Sequence, residues 1–207
     1  SGRFDTIFQG GDLNYYVFKG CNYWLLTEDS VAPGYPRRIS DEWPDLPCDI
    51  DAAVTWTENK KTYFFKGNQY WKFDNTLPDD GYPRSISEGF EGIPSDLDAA
   101  TVWGGNGKIY FFKGDKYWRF DPLNKPPVKD GYPRSISNWF KNWNRVDGAV
   151  LWQNKYTYFF KDGEYSRFND RAFRVDDGDP PFPRPSGSWW FGCKKDDGFT
   201  FQLAGAK

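Results

Sequence analysis

Four acidic residues recur at nearly even spacing. Asp5, Asp51, Asp98 and Asp147 stand 46, 47 and 49 positions apart, at the head of FDTIF, DAAVTW, DAATVW and DGAVLW. Residues so far apart can act on one target only if the chain returns to the same place four times. In a fourfold arrangement they would meet at one mouth of an axial tunnel, where backbone carbonyls and nearby carboxylates favour a hard cation such as Ca²⁺. The plainer reading is that each aspartate caps a turn within its own repeat. Catalysis has less to work with. The chain contains no histidine, which removes Ser-His-Asp and Cys-His nucleophiles, HExxH zinc sites and haem held by imidazole. Other carboxylates cluster in turn sequences such as PDDGYP and KDGYP, not in the isolated pairs that cleave glycosides. No residue is assigned a catalytic role.

The elements that position the aspartates belong to an internal repeat. Downstream of each comes YVFKGCNYW, YFFKGNQYW, YFFKGDKYW or YFFKDGEYS, followed by GYPRRI, GYPRSI, GYPRSI or PFPRPS. The run TYFFKGNQYWKFD reads as a hairpin turning at Gly67 and Asn68, with the same turn at Gly20, Gly114 and Gly163. Both parities of the run are apolar: Tyr63 and Phe65 face one way and Phe64 the other, so the sheet must be covered on both faces. Four such antiparallel sheets stacked around an axis make an all-β, four-bladed β-propeller. The small DAA residues suit the crowded axis, and the rings suit the wedges between blades. Sequences such as RSISEGFEGIPSDLDAA predict short rim helices that return the chain to the centre. The blades expected are 4–47, 48–95, 96–144 and 145–193, with 194–207 a tail or stalk outside the repeat. Trp56, Trp103 and Trp152 read as packing. Arg37, Arg84, Arg134 and Arg184, each after a proline, read as blade-holding residues over a ring.

Bulk properties agree with this. A chain of 207 residues, 38% hydrophobic and 21% aromatic, can bury a core. Its net charge of −2, with both signs interspersed, argues against nucleic acid as a partner. No apolar run is long enough to span a bilayer, and SGRFDTIF lacks the layout of a signal peptide, so a soluble piece of a longer protein is expected.

The phrases DAA, YFFKGNQYWKFD and GYPRSIS, recurring in fixed order over about residues 4–193, resemble the hemopexin-like repeats of matrix metalloproteinases, also found in vitronectin and hemopexin. The opening FDTIF and closing WWFGC resemble membrane-type members. The resemblance implies a non-catalytic exosite module beside a separate zinc- and calcium-dependent endopeptidase domain. Its partners would be matrix proteins such as collagen, cell-surface proteins and tissue inhibitors of metalloproteinases, with a homodimer left open. The alternative is an adhesive matrix protein of vitronectin type. The compartment would be extracellular, secreted or pericellular. In that family the carbonyls of the leading aspartates bind calcium, and the positions two further on, here Ile7, Ala53, Ala100 and Ala149, line the tunnel beneath with sodium or chloride. Neither Zn²⁺ nor haem is expected in this segment. A family cysteine matching Cys193 pairs with one upstream of the first repeat, which would lie before Ser1. Cys21, in the first hairpin turn, and Cys48, before the second inner strand, would fall at the same end of adjacent blades and are expected to form a disulfide.

The fourth repeat departs most. It has Gly148 in place of Ala, Ser166 in place of Trp24, Trp71 and Trp118, and PFPRPSGSWWFG in place of GYPRSIS. The missing ring predicts a looser, more exposed edge there.

Overall fold

The computed structural model describes residues 2–28 and 31–191. Four antiparallel sheets form the blades of a propeller, and each repeat builds one sheet. The inner strands are Thr6–Gln9, Ala52–Thr55, Ala99–Val102 and Gly148–Leu151. Each pairs with the second strand of its blade, and the second pairs with the third across the predicted hairpin. In the second blade Thr62–Lys66 turns through Gly67 and Asn68 into Gln69–Asp74. Gly67 has φ +56°, a conformation that costs a residue without Cβ nothing. The fourth repeat makes its turn with Asp162 and Gly163, both at positive φ.

The outer edges come from the Pro-Arg motifs. Arg37–Arg38 and Arg134–Ser135 close the first and third blades, while the second and fourth carry two short outer strands each. Single helical turns follow at Ile39–Glu42, Ile86–Gly89 and Ser186–Trp190, with a 3-10 turn at Ile136–Asn138. Their leading Ile39, Ile86 and Ile136 are buried, which anchors the return to the axis.

Inner strands contact the inner strands of both neighbouring blades, closing a ring. Four apolar seams lie between the blades. Phe64 faces the seam between the first and second blades with Phe18, Trp43 and Trp71, whereas Phe65 faces the next seam with Phe90 and Phe111. Rings in these seams meet mostly edge to face, as Phe8–Phe64 at 5.2 Å and Phe65–Phe111 at 5.4 Å. Each such pair adds about 0.5–1.5 kcal/mol beyond its burial.

The last seam joins the fourth blade to the first and must close the circle between distant parts of the chain. Tyr15 and Trp152 lie 3.9 Å apart there, and Phe4 meets both Phe160 and Phe191. Ser186 donates its hydroxyl to the carbonyl of Gly2, 2.9 Å away, in a buried bond. Phe4 also accounts for Gly148: a Cβ there would stand 2.7 Å from the Phe4 ring.

The looser fourth blade is not found. Ser166 is 2% exposed, against 9% for Trp71. Ser166 lies opposite Phe159 and shares its face with Phe168, and both rings are buried in the seam with the third blade. That seam is filled from the other side by Trp139, Phe140 and Trp143, and from the fourth blade itself by Phe173, 4.9 Å from Trp139.

Candidate functional site

The four leading aspartates occupy equivalent positions. Each donates its backbone N–H to the second strand: Asp5 to Phe18, Asp51 to Phe65, Asp98 to Phe112 and Asp147 to Phe160, at 2.8–2.9 Å. Each carboxylate accepts the first N–H of its own hairpin turn, from Gly20, Gly67, Gly114 and Asp162 respectively, at 2.5–2.7 Å. The carboxylates therefore lock turn to inner strand, as the plainer reading anticipated. Burial pushes the Asp5 and Asp51 carboxyls above their ordinary range. The turn N–H groups pull back, and Asp49 and Asp96 push further up.

Two residues before each aspartate the mouth divides into halves. Asp49 and Asp96 stand there in the second and third repeats, but Arg3 and Arg145 in the first and fourth. Arg145 pairs with Asp147 and with Asp162, which Arg3 also reaches at 3.2 Å. Lysines at the ends of second strands hold carbonyls of the connectors: Lys66 donates to Cys48 and Lys113 to Ser95.

Among the described residues no group of three or more Asp, Glu, Cys or His side chains is arranged to ligate a metal. An axial cation would have to be held by main-chain carbonyls, with the aspartate side chains committed to the turns. That donor set is oxygen only and fits Ca²⁺ or Na⁺ in kind.

Cys21 and Cys48 form a disulfide with Cα atoms 4.4 Å apart. It joins the first blade's hairpin turn to the start of the second repeat, beside the hydrogen bond from Asp49 N–H to Gly20. Cys193 and the 194–207 tail lie outside the described residues.

From the aspartate end the inner strands run together to the opposite mouth, where the Thr55 hydroxyl donates to the Gln9 carbonyl at 2.6 Å. A cavity of about 220 Å³ opens there. Ala53, Ala100 and Ala149 are on its wall, whereas Ile7 is buried in the seam between the fourth and first blades. The sequence reading missed this cavity, because only a closed ring of strands creates it.

It also missed a device that shapes this mouth. Asn59, Asn106 and Asn154 donate side-chain N–H to the hydroxyls of Tyr63, Tyr110 and Tyr158, all at 2.9 Å, and Asp12 accepts from Tyr16 at 2.7 Å. The signal was available: an Asn or Asp lies four positions before the tyrosine in all four repeats. Trp103 and Trp152 pack in seams as expected, and Trp56 packs against one.

The repeated arginines are structural. Arg37, Arg84 and Arg134 lie 4.7–4.8 Å above Tyr35, Tyr82 and Tyr132. Arg184 is buried between Phe182 and Trp189, 4.2 and 4.6 Å from their centroids.

Fold and site together define a four-bladed propeller in which each repeat builds one blade. The Hemopexin family model matches residues 4–48, 50–95, 97–142 and 146–193, and the chain belongs to that family. It is similar to vitronectin from Sus scrofa, 44% identical over 39 residues, covering 19% of this chain and 8% of that protein. Hemopexin from Homo sapiens is 34% identical over 50 residues, covering 24% and 11%. These matches span about a tenth of the relatives' length. Among solved structures, a plant lectin with two metal-binding sites from Cicer arietinum superposes with TM-score 0.74 at 23% identity, over 91% of this chain and 95% of that one. The hemopexin-fold protein CP4 from cow pea superposes with TM-score 0.71 at 22% identity, over 89% and 94%. Both show the same fold.

Proposed function

We propose that this propeller is a non-catalytic binding module of an extracellular protein, docking macromolecules through its blade edges and loops. The observation that supports this most is that the aspartate, aromatic and arginine motifs of all four repeats serve the scaffold. Recognition is left to the loops that differ between repeats. The Cys21–Cys48 disulfide supports an oxidising compartment. In the finer reading the parent is a zinc metalloproteinase, and the module is an exosite for matrix proteins such as collagen, cell-surface proteins or tissue inhibitors of metalloproteinases. No helix among the described residues is long and apolar enough to cross a membrane.

The test pairs two assays with the chain in excess over a metalloproteinase that carries a hemopexin domain. Cleavage of native collagen should fall while cleavage of a short fluorogenic peptide is unchanged. Equal effects on both, or hydrolysis by the chain itself, would overturn the reading. The matches to vitronectin favour a second reading, an adhesive matrix protein. The parent transcript separates the two: an HExxHxxGxxH helix points to the proteinase, an Arg-Gly-Asp segment to adhesion.

The carbonyls of Asp5, Asp51, Asp98 and Asp147 would hold an axial Ca²⁺, with sodium or chloride deeper, level with Ile7, Ala53, Ala100 and Ala149. A cation bound only by the folded chain stabilises it by mass action, by about 2.7 kcal/mol at a hundredfold excess over Kd, and so raises its melting temperature. An unchanged melting curve when Ca²⁺ is restored to chelator-stripped protein would remove the ion.

A further inference from the structure

The cavity at the mouth remote from the aspartates has no part in the docking reading. Its inner-strand wall is mostly apolar, built from Ala53, Val54, Ala100, Val102, Ala149 and Val150, with Thr101 a polar side chain among them. Its opening is polar, with Gln9, Thr55, Thr57 and Lys60 around it and Leu13, 71% exposed, on the rim. Apolar depth under a polar opening is the layout of a site for an amphiphile.

The charge of the head group follows from the rim. Lys60 is the only ionisable side chain among the lining residues, and none of the described ion pairs includes it. It is held on the rim by its backbone, which adopts φ +57° and donates its N–H to Trp56. The nearest acid in the first blade's loop, Asp12, is already engaged by the Tyr16 hydroxyl and the Asn14 amide. The neutral donors are partly committed: Gln9 donates to the Leu13 carbonyl, and the Thr55 hydroxyl to Gln9. Volume sets the tail. A cavity of about 220 Å³, walled by the inner strands, admits a medium chain more readily than a long one.

We infer that this mouth binds a medium-chain alkyl carboxylate, with the chain between the inner strands and the carboxylate at Lys60. The site rests on neither the docking partner nor the Ca²⁺ at the aspartate carbonyls, so its failure would leave both of those readings standing; a deeper sodium or chloride level with Ala53, Ala100 and Ala149 would share its wall and be displaced by the alkyl chain.

The experiment is a calorimetric titration of the 207-residue chain with octanoate in EDTA buffer, alongside octylammonium and 1-octanol. Octanoate should bind one to one and more tightly than either analogue. Lys60→Gln, a change at an exposed position, should weaken octanoate about three- to fivefold, the scale of an exposed ion pair, and leave octanol unchanged. Ala100→Leu fills the apolar wall and should abolish binding while its circular dichroism stays native. Should that variant fail to fold, amide shifts in the unsubstituted chain keep the idea exposed, since octanoate must perturb Gly10, Gly11, Thr55, Thr57 and Thr101 first. Absence of saturable octanoate binding, equal affinity for octylammonium, an unaltered Lys60→Gln variant, or shifts centred on another surface would each overturn the proposal.

Discussion

The second and fourth blades use the same strand order, yet they seal the seam with the preceding blade by opposite distributions of bulk. In the first seam the second blade contributes Trp71, and the connector facing it carries Leu46. In the third seam the fourth blade contributes Ser166, and the equivalent connector position carries Trp143. The seam between them follows the first pattern, with Trp118 and Ile93. A large ring has moved across the interface from one blade to its neighbour. The third blade's connector also differs, running as a 3-10 turn that places Trp139 in the seam among Phe159, Phe168 and Phe173. A seam is thus constrained by its filled volume and not by residue type at one position, because close-packed interiors tolerate redistribution better than voids.

The largest effect is expected from removing the additional ring that the third connector alone places in its seam. Trp139→Ala should destabilise the chain by about 3–5 kcal/mol in urea unfolding, the cost of truncating a buried tryptophan. A loss below 1 kcal/mol would mean that the third seam is not held by this ring.

The arginines test the outer edges. Arg184 is 6% exposed, stacked on two rings and donating to the Pro180 carbonyl, while Arg84 is exposed over Tyr82. Arg184→Ala should cost about 2 kcal/mol and Arg84→Ala about 0.5–1 kcal/mol, following the gain of a cation–π contact on desolvation. Equal costs by thermal melting would show that the fourth blade's edge is no tighter than the second's.

A double-mutant cycle sharpens the volume argument. Trp143→Ile and Ser166→Trp should each destabilise, and the pair together should recover about 1 kcal/mol relative to the sum. Strict additivity would sink the exchange of bulk between the two positions.

The smallest effect concerns Asp170, 8% exposed, whose Oδ2 accepts from the Thr157 hydroxyl at 2.7 Å. Burial pushes its carboxyl above the ordinary range, against the hydrogen bonds that lower it. A carboxyl raised on folding binds its proton more tightly in the native state. Its stabilising contribution is full in acid, below the ordinary value, and is lost as pH rises through the raised one. Asp170→Asn should flatten the slope of stability against pH in that window by less than about 1 kcal/mol. An unchanged slope in denaturation curves from acid to neutral pH would assign it to other groups.

Much of this was legible in the residues. Four repeats, apolar on both strand parities, admit few solutions other than stacked blades, and the Gly67 turn, the inner Ala pairs and the Cys21–Cys48 neighbourhood followed from that. These are local or periodic properties, and periodicity survives in one dimension. The looseness expected at Ser166 failed because a single repeat does not show what its neighbour inserts: Trp139 and Trp143 come from the third repeat's connector and reach the seam only when the blades pack together. Gly148 read as an irregularity and proves to be the space occupied by Phe4, over a hundred positions away in the chain. The split of the aspartate mouth into acidic and basic halves was present two residues before each Asp, but became meaningful once Arg3 and Arg145 met at Asp162. The remote cavity exists in no repeat taken alone. Blades, their order and their turns were written in the order of residues, since these rest on contacts within one repeat. Tertiary structure alone decided how bulk and charge are shared around the axis, since each seam and each mouth is made by side chains from at least two repeats.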